Sequence, residues 1–100
     1  MEKSKEVLKI VSQIPRGKVM MYGQIGKIAG IHPRLVGKIL HENPDPANIP
    51  CHRVVNFKGE IAEGYAFGGM KIQSKKLIQE GVRVSGGRVD LKKYLFKRSY

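Results

Sequence analysis

Cys51 is the only cysteine in a chain of 100 residues, and it is followed directly by His52 and Arg53. The thiolate is the nucleophilic form of cysteine, and a nearby cation or a histidine able to take up the thiol proton favours it. Pro50 fixes the backbone ahead of Cys51 and removes an amide hydrogen, so the segment reads as a shaped turn rather than the interior of a helix. A second reading uses the same residues: Cys51 as a small buried hydrophobe, which is what most free cysteines are. On the Cys-His pair alone the two readings stand even. His32 and His41 have no metal-ligand spacing to other candidates, so no metal site is expected, and no cofactor is called for.

Charge narrows the partner. The chain carries 19 Lys and Arg against 8 Asp and Glu, a formal net charge of +11. The excess is dispersed, with eight cations against four anions in residues 1–50 and eleven against four in residues 51–100. Such a field favours polyanions, of which nucleic acid is the commonest soluble one, although a ribosomal or nonspecific DNA-binding protein would carry the same charge. One cysteine offers no intramolecular disulfide, which fits a reducing cytosol. Met1 is followed by charged residues, and no apolar run approaches the ~20 residues that span a bilayer. The expectation is a soluble, cytoplasmic, monomeric protein without membrane contact, folded as a single domain over residues 1–100.

The elements that must position Cys51 can be read from periodicity and breakers. Val7, Leu8, Ile10, Val11 and Ile14 recur at helical spacing and predict an amphipathic helix from Ser4 to Ile14. Pro15-Arg16-Gly17 breaks it, Val19-Met20-Met21 is a short extended piece, and Tyr22 to Ala29 is a second helix stopped by Gly30. A third helix begins near Pro33 and runs to about Glu42. Two short helices joined across Gly30-Ile31-His32 outline a helix-turn-helix, whose second helix normally meets DNA. On that helix Leu35, Val36, Ile39 and Leu40 can point inward, while Arg34, Gly37, Lys38 and His41 share one exposed stripe. Gly37 costs ~1 kcal/mol relative to alanine in a helix interior, which a close approach to a partner would offset. A solvated charged face with a tolerated glycine is the alternative.

Asn43 to Pro50 holds three prolines and no periodicity, and is a loop delivering the chain to Cys51. Val54 to Ile61 reads as a hairpin turning near Lys58-Gly59, a wing beside the helix-turn-helix. Gly64 to Gly69 is a flexible loop, and Met70 to Glu80 is helical with Ile72, Leu77 and Ile78 available to the core. Val82 to Val89 is a short strand or loop region, and Asp90 caps a last turn carrying Leu91, Tyr94, Leu95 and Phe96 inward. The fold class expected is mainly α with a small β wing, a winged helix-turn-helix DNA-binding domain.

Pro50-Cys51-His52-Arg53-Val54-Val55 resembles the active-site signature of the alkylguanine-DNA alkyltransferases. Tyr22-Gly23-Gln24-Ile25 resembles the family's tyrosine-led helix start, Arg34-Leu35-Val36-Gly37 its arginine-finger motif, and Asn43-Pro44 its asparagine-proline before the active-site turn. Gly64-Tyr65-Ala66-Phe67-Gly68-Gly69 resembles its glycine-tyrosine loop, and Leu77-Ile78-Gln79-Glu80-Gly81 its closing helix. Six motifs in the family's order, from about Val7 to Phe96, make coincidence a poor explanation. The resemblance is to the carboxyl-terminal one of the family's two domains.

What the resemblance implies is a single-use repair protein for double-stranded DNA containing 6-O-alkylguanine. The base is flipped out of the stack, and its alkyl group passes irreversibly to the Cys51 sulfur. By the same resemblance His52 accepts the thiol proton through a water, Glu80 orients the imidazole, and Asn43 holds the active-site turn or Tyr22. Tyr22 crowds the phosphate and donates to the departing guanine. Arg34 fills the gap in the stack, Gly37, Lys38 and Arg53 join it on the DNA, and Tyr65 and Ala66 wall the alkylguanine pocket. Glu80 carries a small hint of its own, because a carboxylate at a helix end before Gly81 opposes the helix dipole by ~0.3–1 kcal/mol and is eased by a cationic or hydrogen-bonded partner.

Two departures bear on these roles. The chain is a residue longer than the family pattern on either side of Tyr65, and shorter between Gly30 and Arg34, a shortening shared with the one-domain alkyltransferase-like proteins. Those relatives replace the reactive cysteine, which is present here. The alternatives are therefore a non-catalytic damage sensor that recruits other repair factors, and a plain winged helix-turn-helix regulator.

Overall fold

The computed structural model describes residues 2–61 and 67–97. Helix α1 (Glu2–Ser12) carries Val7, Ile10 and Val11 on its inner face, and Gln13 and Ile14 tighten its end with bonds to the carbonyls three residues back. Strand β1 (Met20–Met21) leads directly into α2 (Tyr22–Ala29). Gln24 accepts a hydrogen bond from the Met21 amide at 3.1 Å, satisfying a donor at the helix start. At the other end Gly30 takes the left-handed conformation at φ 72°, and the Ile31 amide turns back to the Gly26 carbonyl. A Cβ on Gly26 would sit 2.6 Å from the Ile31 carbonyl, so only glycine lets the turn close this tightly.

Helix α3 (Pro33–His41) starts with proline at its first position and with the His32 ring accepting from the Arg34 amide at 3.0 Å. Val36, Ile39 and Leu40 are buried, and Arg34, Lys38 and His41 are exposed, as the stripe on this helix predicts. Helices α1, α2 and α3 close on one core with Ile14, Met20, Ile25, Ala29, Cys51 and Val54.

After a 3₁₀ turn at Cys51–Arg53, strand β2 (Val54–Val55) pairs in parallel with β1, Met20 opposite Val54 and Met21 opposite Val55. Successive strand residues face opposite sides, so Met20 and Val54 enter the helical core while Val19 and Val55 enter a second one. That second core holds Ile61, Leu77 of α4 (Gly69–Gln79), Val82, Val89 and Tyr94 of α5 (Leu91–Tyr94). Asp90 caps α5 through the Lys92 amide at 3.0 Å, as its type predicts.

Three expectations change. The hairpin expected over Val54 to Ile61 is not built there: β2 pairs with β1, and the next residues form a tight turn in which the Asn56 side-chain oxygen accepts the Lys58 and Glu60 amides at 2.9 Å. The antiparallel hairpin lies instead at β3 (Val84–Ser85) and β4 (Arg88–Val89), turned by Gly86-Gly87 at φ 59° and 72°. It joins the Asn56 turn through the Val89 amide to the Gly59 carbonyl and the Ile61 amide to the Gly87 carbonyl. In α4 the inward pair is Gln73 and Leu77, whereas Ile72 and Ile78 are exposed. A buried Gln73 is tolerated because its amide meets two carbonyls, those of His52 and Val54. No helix among the described residues is long and apolar enough to cross a membrane.

Candidate active site around Cys51

The turn that carries Cys51 is clamped from three directions. Asn43, itself buried, donates to the Ile49 carbonyl at 2.9 Å and accepts from the Asp45 amide at 2.9 Å, which locks the loop ahead of Pro50. Within the turn the Arg53 amide reaches the Pro50 carbonyl and the Val54 amide the Cys51 carbonyl. From α4, the Gln73 amide donates to the carbonyls of His52 at 3.0 Å and Val54 at 3.2 Å. Gln73 went unnoticed in the sequence, where a glutamine between Ile72 and Leu77 carries no signal of burial.

Glu80 closes the fourth side. Its carboxylate sits 3.0 Å from His52 Nε2 and accepts two bonds from the Arg53 guanidinium, at 2.9 Å and 2.6 Å. An ionised carboxylate only accepts, so Nε2 is the protonated nitrogen of His52 and Nδ1 is left with its lone pair. Nδ1 is buried and has no hydrogen-bond partner among the described residues. Burial lowers the His52 pKa more than its bond to Glu80 raises it, which keeps the ring neutral near pH 7. Burial pushes the Glu80 carboxyl up, but the hydrogen bonds from Arg53 and His52 outweigh it and hold the group below the usual carboxylate range. A neutral imidazole with a bare buried nitrogen, in the residue that follows Cys51, can take a proton.

The Arg53 guanidinium is turned inward, held by Glu80 and by the Ile14 carbonyl at 2.7 Å, and its side chain is only 15% exposed. It does not stand as a free cation for the thiol, because its charge is matched by Glu80. Cys51 is 5% exposed and belongs to the helical core, so the buried-hydrophobe description and the reactive one share a single location.

Tyr22, the first residue of α2, is packed against the same core. Burial, and secondarily the negative charge that Cys51 can carry, raise its pKa, so its hydroxyl keeps its proton. Tyr22 divides two grooves. One, of about 450 Å³, runs to Asn56, Glu60, Ile61, Met70 and the Gly86-Gly87 turn. The other, of about 380 Å³, runs to Gly23, Pro33, Arg34, Gly37, Asn56 and Phe57. Arg34 and Lys38 stand exposed on α3, and a Cβ on Gly37 would meet only Tyr22, at 3.9 Å. Nothing among the described residues requires that glycine. Tyr65 and Ala66 lie outside the described residues. No group of three potential metal ligands occurs among the described residues.

Residues 2–82 match the family described as 6-O-methylguanine DNA methyltransferase, DNA binding domain. The chain is 42% identical over 85 residues to a methylated-DNA–protein-cysteine methyltransferase of Methanothermobacter thermautotrophicus, covering 85% of this chain and 47% of that protein. It is 39% identical over 93 residues to a DNA base-flipping protein of Vibrio parahaemolyticus, covering 89% and 90%. Among solved structures, Schizosaccharomyces pombe Atl1 in complex with damaged DNA containing O6-carboxymethylguanine superposes with a TM-score of 0.87 at 30% identity, over 97% of this chain and 96% of that one. Mycobacterium tuberculosis OGT in complex with DNA superposes with a TM-score of 0.74 at 31% identity, over 81% and 49%. The chain thus spans about half the length of the transferases and nearly all of the base-flipping protein and Atl1.

Proposed function

We propose that this chain, which belongs to the family of the 6-O-methylguanine DNA methyltransferase DNA-binding domain, binds duplex DNA containing 6-O-alkylguanine, flips the base out and takes its alkyl group onto Cys51. The observation that carries the reading is the Glu80–His52 pair at 3.0 Å, with the bare, buried His52 Nδ1 in the residue next to the thiol. In the step, Nδ1 accepts the thiol proton through a water. The sulfur forms a bond to the alkyl carbon as the carbon–O6 bond breaks; the Tyr22 hydroxyl donates a hydrogen bond to the departing guanine, which takes a proton from water while the imidazolium returns the thiol proton to water. Glu80, already ionised, stabilises the imidazolium that forms. Asn43 and Gln73 keep the turn from moving while this happens.

On the DNA, Arg34 at the start of α3 enters the space the base leaves, and Gly37 and Lys38 meet the backbone beside it. Tyr22, between the two grooves, contacts the phosphate at the flipped nucleotide, while Tyr65 and Ala66 are assigned to the pocket wall. No metal or cofactor enters the step. The thioether has no route back to a thiol, so each molecule acts once.

A second reading is supported by the length of the matches: the base-flipping protein and Atl1 are covered over 90% and 96% of their chains. In it the protein binds the damaged base without chemistry and recruits other repair factors. Intact-mass spectrometry after incubation with a duplex bearing one 6-O-methylguanine separates the two. A one-methyl gain mapped to Cys51, absent with unmodified DNA and lost in Cys51→Ser, establishes transfer. Tight, damage-selective binding with unchanged mass establishes the sensor.

A further inference from the structure

Phe57 is the most exposed of the large apolar side chains described, at 76%, and it is not on a loose segment. It sits in the Asn56 turn, whose amides at Lys58 and Glu60 are both bonded to the Asn56 oxygen and whose Gly59 carbonyl is tied to the hairpin by the Val89 amide. A Cβ on Gly59 would collide with the Val89 carbonyl, so the turn and the hairpin are in close contact and the ring is presented rigidly. Isolated exposed hydrophobes are ordinary on protein surfaces. Phe57 differs from Ile78 in lining a groove whose other walls are Tyr22, Gly23, Pro33, Arg34 and Gly37. The floor is apolar and aromatic, while the rim is cationic: Arg34 lines the groove, and the Lys58 ammonium lies 5.6 Å from the phenyl centroid.

An apolar floor under a cationic rim matches a nucleic-acid strand, which offers sugar and base faces between phosphates. We infer that Phe57 is a second DNA wedge, packing its ring against a nucleotide unstacked by base extrusion, across the groove from Arg34. This rests on the DNA-binding reading and deepens it. The consequence is selectivity: the ring adds affinity where the stack is already open, at a damaged or mismatched pair, and little on intact duplex.

The test measures binding to a duplex with one 6-O-methylguanine and to its unmodified twin, for the parent, Phe57→Ala, Phe57→Trp, Lys58→Ala and Arg34→Ala. Phe57→Ala is expected to lose about tenfold in affinity for the damaged duplex, the scale of one base–aromatic stack, and little for the intact one. Because the ring is uncharged, the slope of log affinity against log salt should stay at the parent value, whereas Lys58→Ala should reduce it by about one. Phe57→Trp should restore the affinity. Phe57→Ala binding both duplexes like the parent, while Arg34→Ala binds more weakly, would overturn the wedge and leave the DNA reading standing. A parent that binds neither duplex would overturn both. A dimer in solution that Phe57→Ala dissociates would reassign the ring to contact with a second copy.

Discussion

Replacing Glu80 by alanine probes the centre of the site most directly. The carboxylate is 8% exposed, and it is shared by an arginine that is 15% exposed and a histidine that is 8% exposed. Removing it leaves the Arg53 charge with only the Ile14 carbonyl, and breaking a buried pair from one side costs about 3–5 kcal/mol. Against that, Glu80 is the residue that ends α4, and removing its carboxylate relieves ~0.3–1 kcal/mol of dipole repulsion. A net loss of about 2–4.7 kcal/mol lowers the melting temperature of a domain this size by roughly 8–38 °C. Circular dichroism during thermal unfolding at pH 7.5 measures it, in low and in high salt, since a buried pair is little screened. Arg53→Met combined with Glu80→Leu should recover most of the loss, because an apolar pair of similar volume leaves no buried charge. A Glu80→Ala protein melting within ~3 °C of the parent would place the pair in the range of surface salt bridges and refute the reasoning.

Gly37→Ala should separate fold from function: the helix gains ~0.5–1 kcal/mol, seen as a higher melting temperature, while DNA binding weakens because the new methyl stands on the free face of α3. Unchanged binding would assign Gly37 no role at the interface. Acid should destabilise the protein in two stages. The folded His52 pKa lies below its unfolded value, so between the two the unfolded chain holds more protons, and stability complete above ~6.5 falls as the pH drops towards the folded value. The Glu80 contribution, complete above ~4.3, is lost below that as the pH falls through its folded pKa. Urea midpoints measured from pH 8 to 2 check this, and His52→Gln should remove the first stage. A parent midpoint level from pH 7 to 5 would contradict the His52 assignment.

Much of the fold was legible locally. The end of α2 and the start of α3 follow from Gly30 and Pro33, and the Asp90 cap from its residue type, because these signals act within one turn of the chain. The inward stripe of α3 follows from helical periodicity alone. The basic charge and the Cys-His pair were equally open to view, and the six motifs linked them to a family. The wing was misplaced because Val54-Val55 has the same strand character whether it pairs with Met20-Met21 or with its own neighbours.

Tertiary structure alone decided which groups meet across the chain. Arg53 is an exposed cation by type, yet it turns inward because Glu80, 27 residues on, and the Ile14 carbonyl, 39 residues back, together satisfy it. Gln73 is buried because two carbonyls of the active-site turn need donors, a demand no helical pattern announces. Phe57 is left out because the turn that holds it is shaped by Asn56 and pinned to the hairpin, with no core above it. Periodicity and capping residues act over a few positions and can be read in order. The satisfaction of buried charge and hydrogen bonds is a property of neighbours in space, and only the packed chain brings those neighbours together.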